Sequence, residues 1–315
     1  MQRILRAVFL MALLSKVIVS AKAEDVAHRV IAQDRGKVVI LSKEGKVEWE
    51  FQNNFVAHDI VALPNGNVVV ATSPNTLVEV TPDKKIIWQW TSKPIGNYKG
   101  AVEIHGFQRL PNGNTMIPET GNRRIIEVNQ KGEIVHELPL TVEHPDAHRD
   151  VRMARKIKGG HYLVCHEGDH VVREYDKKGK VVWQYEVDLD GRPETSGHEG
   201  HGNHVFGAIQ LRSGNKLIAC GNGNRVVEVD KNGKVVWSVG YRELPGIEFH
   251  WVTTLQELPN GNIVIGNTHA GPENPQLIEV THDAKKLVVW TLKNWDVFGN
   301  DLCASQILDI KGVNR

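Results

Sequence analysis

The chain has 315 residues, 38 Lys and Arg against 37 Asp and Glu, 41% hydrophobic residues and three cysteines. That length is enough to bury a large core, while near-neutral charge without a basic block excludes a nucleic-acid partner, whose phosphates need clustered Lys and Arg. Three cysteines cannot all pair internally, which excludes a disulfide-stapled scaffold.

Taken in chain order, residues 1–23 read as a secretory signal peptide. Arg3 and Arg6 give a charged start, residues 7–14 form a short apolar run, and Ala21-Lys22-Ala23 is a small-x-small cleavage site. The run is too short for a membrane span, so cleavage after Ala23 is expected, with a secreted or periplasmic location and no membrane span in the remainder. An uncleaved anchor is the alternative. Residues 24–315 then form one domain with 34 basic and 37 acidic residues, a net charge of −3.

A motif then recurs. Leu63-Pro64-Asn65-Gly66-Asn67 returns at Leu110 and at Leu258, with degenerate copies at Ile157 and Leu211. The steps are 47, 47, 54 and 47 residues. A fixed period of this size means a propeller, a solenoid or an array. Each unit reads as four short strands. In the unit around Leu211, an apolar stretch ends at Leu211, a turn follows, and strands run over Lys216 to Cys220, Arg225 to Val229 and Lys234 to Val239. The turns carry Gly and Asn, which tolerate positive φ. Five units are complete. A sixth is assembled from both ends: an inner strand within Asp301 to Asp309, then Arg29 to Gln33, Lys37 to Ser42 and Lys46 to Phe51. Joining the ends closes a ring and removes open edges. The predicted fold is all-β, a six-bladed propeller of four-stranded antiparallel blades.

Each unit carries a Glu or equivalent on its third strand (Glu79, Glu127, Glu174, Glu228, Glu279) and an aromatic on its fourth (Trp49, Trp88, Trp183, Trp237, Trp290, with His136 once). These read as packing and pairing between blades rather than as a cofactor box. Cys165 and Cys220 occupy similar positions in neighbouring units; buried free thiols are expected, with a bridge as the alternative.

The site is expected on one face of the ring. The loop entering each inner strand and the loop joining strands two and three open on that side. A histidine stands at or before the inner strand of every complete unit: His58, His105, His148, His204 and His250. The second-to-third-strand loops add Glu119, Asn122, His166, Glu167, Asp169, His170, Asn222, Asn267 and His269. Extra length falls on the same face, within residues 188–203 and 270–275, as at a binding face. The histidine register is imperfect, with offsets to the turn of 5, 5, 9, 7 and 8 residues. Imidazoles suit acid–base or nucleophilic work, or metal binding. Arg149 and Arg152 have the fork geometry to hold an anion, or else pair with Asp146 or Asp150. His198, His201 and His204 with Glu199 resemble a metal tract but lack helical spacing, so no metal ligands and no cofactor are assigned.

The Asn-Gly-Asn turn, the Val/Ile strand and the stretch Val227-Glu228-Val229-Asp230-Lys231-Asn232-Gly233-Lys234-Val235-Val236-Trp237 resemble two related groups. These are the bacterial arylsulfotransferase-like propellers and the quinoprotein-like (PQQ-type) repeat propellers. The first resemblance implies a channel-lining histidine as transient sulfo acceptor, aided by other histidines and an arginine; the matching positions are His58, His105, His204 and His250, with Arg149 or Arg152. Quinoprotein dehydrogenases usually carry eight blades and a vicinal cysteine pair, which six units and Cys165, Cys220 and Cys303 do not supply, so PQQ-dependent oxidation is not expected. The resulting expectation is a small, anionic ligand such as a sulfate ester, bound or transferred at His58, His105, His204 and His250. His148, Arg149, Arg152, Glu119, Asn122, His166, Asn222, Asn267 and His269 would surround it. The alternatives are a non-catalytic propeller for a protein or glycan partner, and a metal-dependent hydrolase or lyase.

Overall fold

A computed structural model describes residues 27–315 apart from 190, 192 and 194–200. The signal-peptide segment, His198, Glu199 and much of the 188–203 insertion lie outside the described residues. Among the described residues no helix is long and apolar enough to cross a membrane.

The chain forms six four-stranded antiparallel sheets. The first complete blade holds β4 (Ile60–Ala62), β5 (Val68–Ser73), β6 (Thr76–Val80) and β7 (Ile86–Thr91). The next four follow in order: β8 (Gln108–Arg109) to β11 (Ile134–Pro139), β12 (Met153–Lys156) to β15 (Val181–Glu186), β16 (Gly207–Gln210) to β19 (Val235–Val239), and β20 (Trp251–Glu257) to β23 (Val288–Leu292). The closing blade has the order β24-β1-β2-β3. In it β24 (Ala304–Ile307) pairs with β1 (Val30–Asp34), with Ala32 opposite Ser305, and β2 (Lys37–Leu41) and β3 (Val47–Gln52) complete the sheet. The six-bladed ring expected from the repeat, split unit included, is therefore the fold.

Hydrophobic patterning explains the layering. The middle strands are apolar on both faces, as in Val68-Val69-Val70-Ala71, and are buried on both. This is the pattern of sheets covered on each side. The core lies between adjacent blades: Ile31 and Val38 of the closing blade pack in one cluster with Val69 and Leu77 of the next and Ile117 of the one after. The outer strands alternate, exposing Ile87 and Gln89 while Trp88 is buried.

The repeated Glu and Trp join blades. Glu79 lies opposite Trp88, Glu174 opposite Trp183, Glu228 opposite Trp237 and Glu279 opposite Trp290. Each carboxylate reaches a cation or imidazole of the following blade: Glu79 to Arg109 (2.7 Å), Glu174 to Lys216 (3.1 Å), Glu228 to His282 (2.7 Å) and Glu279 to His28 (2.8 Å). Glu127 pairs likewise with Lys156. Three indoles donate to a carbonyl of the next blade: Trp49 to Pro82, Trp183 to Lys231 and Trp237 to Asp283. All three cysteines are buried and none is in a disulfide, and burial pushes the Cys165 and Cys303 thiols well above the ordinary range. They are inert core residues, and the alternative bridge between Cys165 and Cys220 is not formed.

Candidate functional site at the channel mouth

Four imidazoles converge at one end of the channel. His58 and His105 hold the same repeat position in adjacent blades, so their rings stack at 5.1 Å, with 3.1 Å between their Nδ1 atoms. His148 meets His105 edge-on at 5.0 Å, and His201 lies 5.4 Å from His148. Trp251, at the start of β20, floors the group, 4.6 Å from His201 and 6.1 Å from His58. Phe206 closes the side against His58 and Trp251.

Arg152 lies beneath the imidazoles and is fully buried. Its Nε donates to Glu167 at 2.7 Å and its Nη2 lies 2.5 Å from the same carboxylate oxygen. Nη1 reaches Nδ1 of His105 at 3.3 Å and Nη2 reaches Nδ1 of His201 at 3.2 Å. A guanidinium only donates, so Nδ1 of His105 accepts here and its proton sits on Nε2. Glu167 also takes the backbone N–H of Gly202 at 2.9 Å, which anchors the loop carrying His201. Asn222 donates to the His201 carbonyl at 3.0 Å.

Glu103 completes the cluster. Its Oε2 lies 2.7 Å from Nδ1 of His148 and 3.1 Å from Nε2 of His105. These three donor atoms lie within 4.8 Å of one another, close enough for one ion. Glu103 is two residues before His105, on the same side of an extended segment. That i, i+2 relation was the only sequence trace of it.

Burial sets the electrostatics. Desolvation, then the charge of Arg152, pushes His105 down to about 4. Desolvation and His105 hold His58 well below the ordinary imidazole range, and His201 is lowered by burial. Burial opposes ionisation of Glu167, but Arg152 and His201 outweigh it and bring the group to about 2. Burial likewise opposes ionisation of Glu103, which the His105 and His148 contacts depress overall. At neutral pH the mouth therefore presents uncharged imidazoles His58 and His105, two carboxylates and one guanidinium.

The other predicted positions go elsewhere. His204 stacks face to face on His170 at 3.8 Å. His250 lies near Tyr241, and its backbone N–H donates to Asn267 at 2.8 Å. Asn267 also donates to the Glu248 carbonyl, so it fastens a loop. His166 is fully buried, bonded to the Asp150 carbonyl at 2.7 Å and to the Tyr175 hydroxyl at 2.8 Å. Glu119 binds Arg124 at 2.6 Å and Asn122 at 2.8 Å, and Asn122 also holds the Lys93 carbonyl. Arg149 pairs with Asp146 at 3.3 Å. Asp169 pairs with Arg173 at 2.6 Å. His170 and His269 adopt left-handed backbone, φ 60° and 57°, where a tight turn requires it. His269 is bonded to Asp301 at 2.9 Å and lies 5.0 Å from Trp251, at the rim of the group.

A family model described as outer membrane protein assembly factor BamB, of the PQQ-like repeat type, matches residues 34–291. The chain belongs to the PQQ-like propeller family. Of the two groups named from the sequence, the quinoprotein-like one is the one matched. No curated protein sequence matches this PQQ-like propeller. Among solved structures, a protein of unknown function from Bacteroides caccae is 24% identical with a TM-score of 0.72, covering 89% of this chain and 98% of its own. A catalytically inactive virginiamycin B lyase from Staphylococcus aureus, with quinupristin, is 14% identical with a TM-score of 0.52, covering 84% of this chain and 83% of its own. A streptogramin B lyase is 13% identical with a TM-score of 0.54, over 84% and 82%. At these identities the likeness is one of fold. Pyrroloquinoline quinone itself does not fit the mouth of this PQQ-like propeller. Its carboxylates need cations, and Arg152 and Arg149 are committed to Glu167 and Asp146.

Proposed function

We propose that the channel mouth is a divalent-metal centre formed by Glu103, His105 and His148, serving hydrolase or lyase chemistry on a small molecule. The observation that carries this is the convergence of those three donor atoms within 4.8 Å. Burial already favours the neutral, ligand-competent form of His105. Three protein ligands would leave a position for water, whose pKa a metal such as zinc lowers toward neutrality. With His105 ligating through Nε2, its proton would move to Nδ1 and be donated to Nδ1 of His58, 3.1 Å away, and the 3.3 Å contact from Arg152 to the same nitrogen would be given up. His58 thereby orients the ligand from behind. His201, set against Arg152 and Glu167, is placed as a second acid–base group.

Charge argues against a sulfate ester here. Arg152 is compensated by Glu167, and Glu103 adds a second carboxylate to the cluster, so among the described residues an anionic donor would meet no uncommitted arginine there. Sulfo transfer to a histidine thus has less support than metal-assisted chemistry. A second reading, a protein-interaction propeller, is favoured by the exposed apolar pairs on the outer strands, Ile86 with Ile87 and Val235 with Val236.

The test is titration of chelator-treated protein with cobalt(II) and zinc(II), followed by visible absorption and metal analysis. One equivalent is expected to bind, with affinity falling at least about tenfold in Glu103→Ala and His148→Ala, and by about 10-fold to 100-fold in His58→Ala. Binding at trace level only, or unchanged in all three variants, would overturn the metal centre. Stoichiometric metal without turnover of any small ester, amide or lactone would shift weight to the interaction reading.

A further inference from the structure

Arg152 and Arg149 at the mouth each have a carboxylate of their own, whereas at the other end of the same channel cationic side chains outnumber the carboxylates that pair with them. Strand β12 runs the length of the channel wall. Arg152, just before it, faces the histidine cluster, whereas Arg155 and Lys156 at its far end open into a cleft of about 510 Å³ on the opposite face. Between the two ends lies a void of about 20 Å³ lined by Asp59, Met153, Arg155 and Thr254, room for about one water. The two ends are thus separate sites on one ring.

Five cationic side chains line the cleft: Arg155, Lys156, Lys158, Arg212 and Arg315. Arg155 and Arg315 share one buried carboxylate, Asp59, with Arg155 at 2.9 Å and Arg315 on the other oxygen. Asp59 is further saturated by the backbone N–H groups of Ile60 and Phe107. Lys156 pairs with Glu127, which also takes the Tyr162 hydroxyl. Arg212 lies against Glu257, whose carboxylate is shared with Asn314 at 2.8 Å. Lys158 has no carboxylate within ion-pair distance among the described residues. Five positive side chains therefore face three negative ones. With an α-carboxylate on Arg315 counted as well, one positive charge is left.

The crowding has a physical signature. Burial, offset in part by Asp59 and reinforced by the neighbouring Arg155, brings the Arg315 guanidinium down to about 10. Two guanidinium groups side by side in a partly dry cleft are stabilised by a multivalent oxyanion, which can take several charge-assisted hydrogen bonds at once. Ser213, Gln108 and Gln210 add neutral polar groups to the walls. The cleft has room for an organic portion beyond the anion.

We propose that this cleft binds a small organic molecule carrying a tetrahedral oxyanion, a phosphate or sulfate monoester, gripped by Arg155, Arg315, Arg212 and Lys158. The site is independent of the histidine cluster and of any metal there.

The test is calorimetric titration of the full chain with inorganic phosphate, inorganic sulfate, phenyl phosphate and phenyl sulfate. The comparison is a Lys158→Ala/Arg212→Ala double variant, both positions lying on the surface of the cleft, with circular dichroism to confirm its fold. Phenyl phosphate or phenyl sulfate is expected to bind the wild type, to weaken by about tenfold or more in the double variant, and to weaken with added salt. The stronger of the two esters identifies the oxyanion. Binding is expected to persist in His105→Ala and in the presence of chelator, which separates this site from the mouth. No binding of any of the four at millimolar concentration, equal binding by the double variant, or inorganic ions binding as tightly as their phenyl esters would each overturn the assignment.

Discussion

His58 and His105 are separated by one repeat, and each stands 5 residues before its turn; that shared register is why their rings meet. His204 and His250 stand at offsets of 7 and 8, and a shift of a few residues around a strand entry was enough to send them to His170 and Tyr241 instead. His148, at offset 9, joins the cluster all the same, because Glu103 of the preceding blade draws it in. Spacing therefore brought His58 and His105 together but could not say which of the other imidazoles would join them. The choice depends on carboxylates that reach His148 and His201 from the preceding blade, Glu103 and Glu167, and no spacing between those partners encodes it. The same burial predicts a pH response. His105 and His166 protonate at about 4 in the folded chain against 6.5 ordinarily, so between those values the unfolded chain binds protons that the folded chain does not. Glu167, at about 2 against 4.5, contributes stability above its ordinary value that is lost as pH falls toward its folded one. Both act in the same direction. Urea denaturation is expected to show stability falling from about pH 7 to about pH 4 as the two histidines titrate, and further below about pH 4.5 as Glu167 does, with each group able to account for about 3 kcal/mol when fully titrated. A midpoint that stays level across that window would contradict the buried, neutral state of the histidines.

At the scale of the strand, the third-strand glutamate does two jobs. In the fifth complete blade, Glu279 takes the turn amide of Asn262 at 2.6 Å and His28 of the closing blade at 2.8 Å. The first bond fixes the hairpin within a blade and the second fixes the blade to its neighbour. Both roles were legible in the sequence only as a recurring Glu, because the partner's identity drifts from Arg109 to Lys156, Lys216, His282 and His28. What is preserved is a basic or imidazole group at a spatial position, not at a sequence offset. Replacing Glu279 by alanine removes the acceptor of the half-buried Asn262 amide and of Nε2 of the buried His28, and is expected to cost about 2 kcal/mol, seen as a lower thermal midpoint. Glu279→Gln keeps an acceptor and should lose less. Equal melting of all three proteins would show that the pairing between blades contributes nothing to stability.

For the whole molecule, the repeat made the ring legible because turn chemistry is local: an Asn-Gly pair announces a hairpin wherever it stands. The contents of the two channel ends were not legible, since they depend on which side chains of β12 face up or down and on what lies across the ring. The seam between β1 and β24 carries the closure. Proline at Ala32, in a strand paired on both sides, removes a ladder bond that an interior strand cannot spare. If the ring is one cooperative unit, Ala32→Pro should lower the melting transitions seen by tryptophan fluorescence and by circular dichroism together, by several degrees. Separation of the two transitions would show that the closing blade comes apart alone. Closure also bears on how such a chain can change through tandem duplication. A solenoid lengthens by one copy at little cost to the others. Here an added 47-residue copy would have to reset every angle between neighbours, from about 60° with six blades to about 51° with seven. The Glu–cation and indole–carbonyl bonds between blades are cut to the present angle. Variation is therefore channelled into substitution and loop length, and copy number is the property of this sequence most resistant to gradual change.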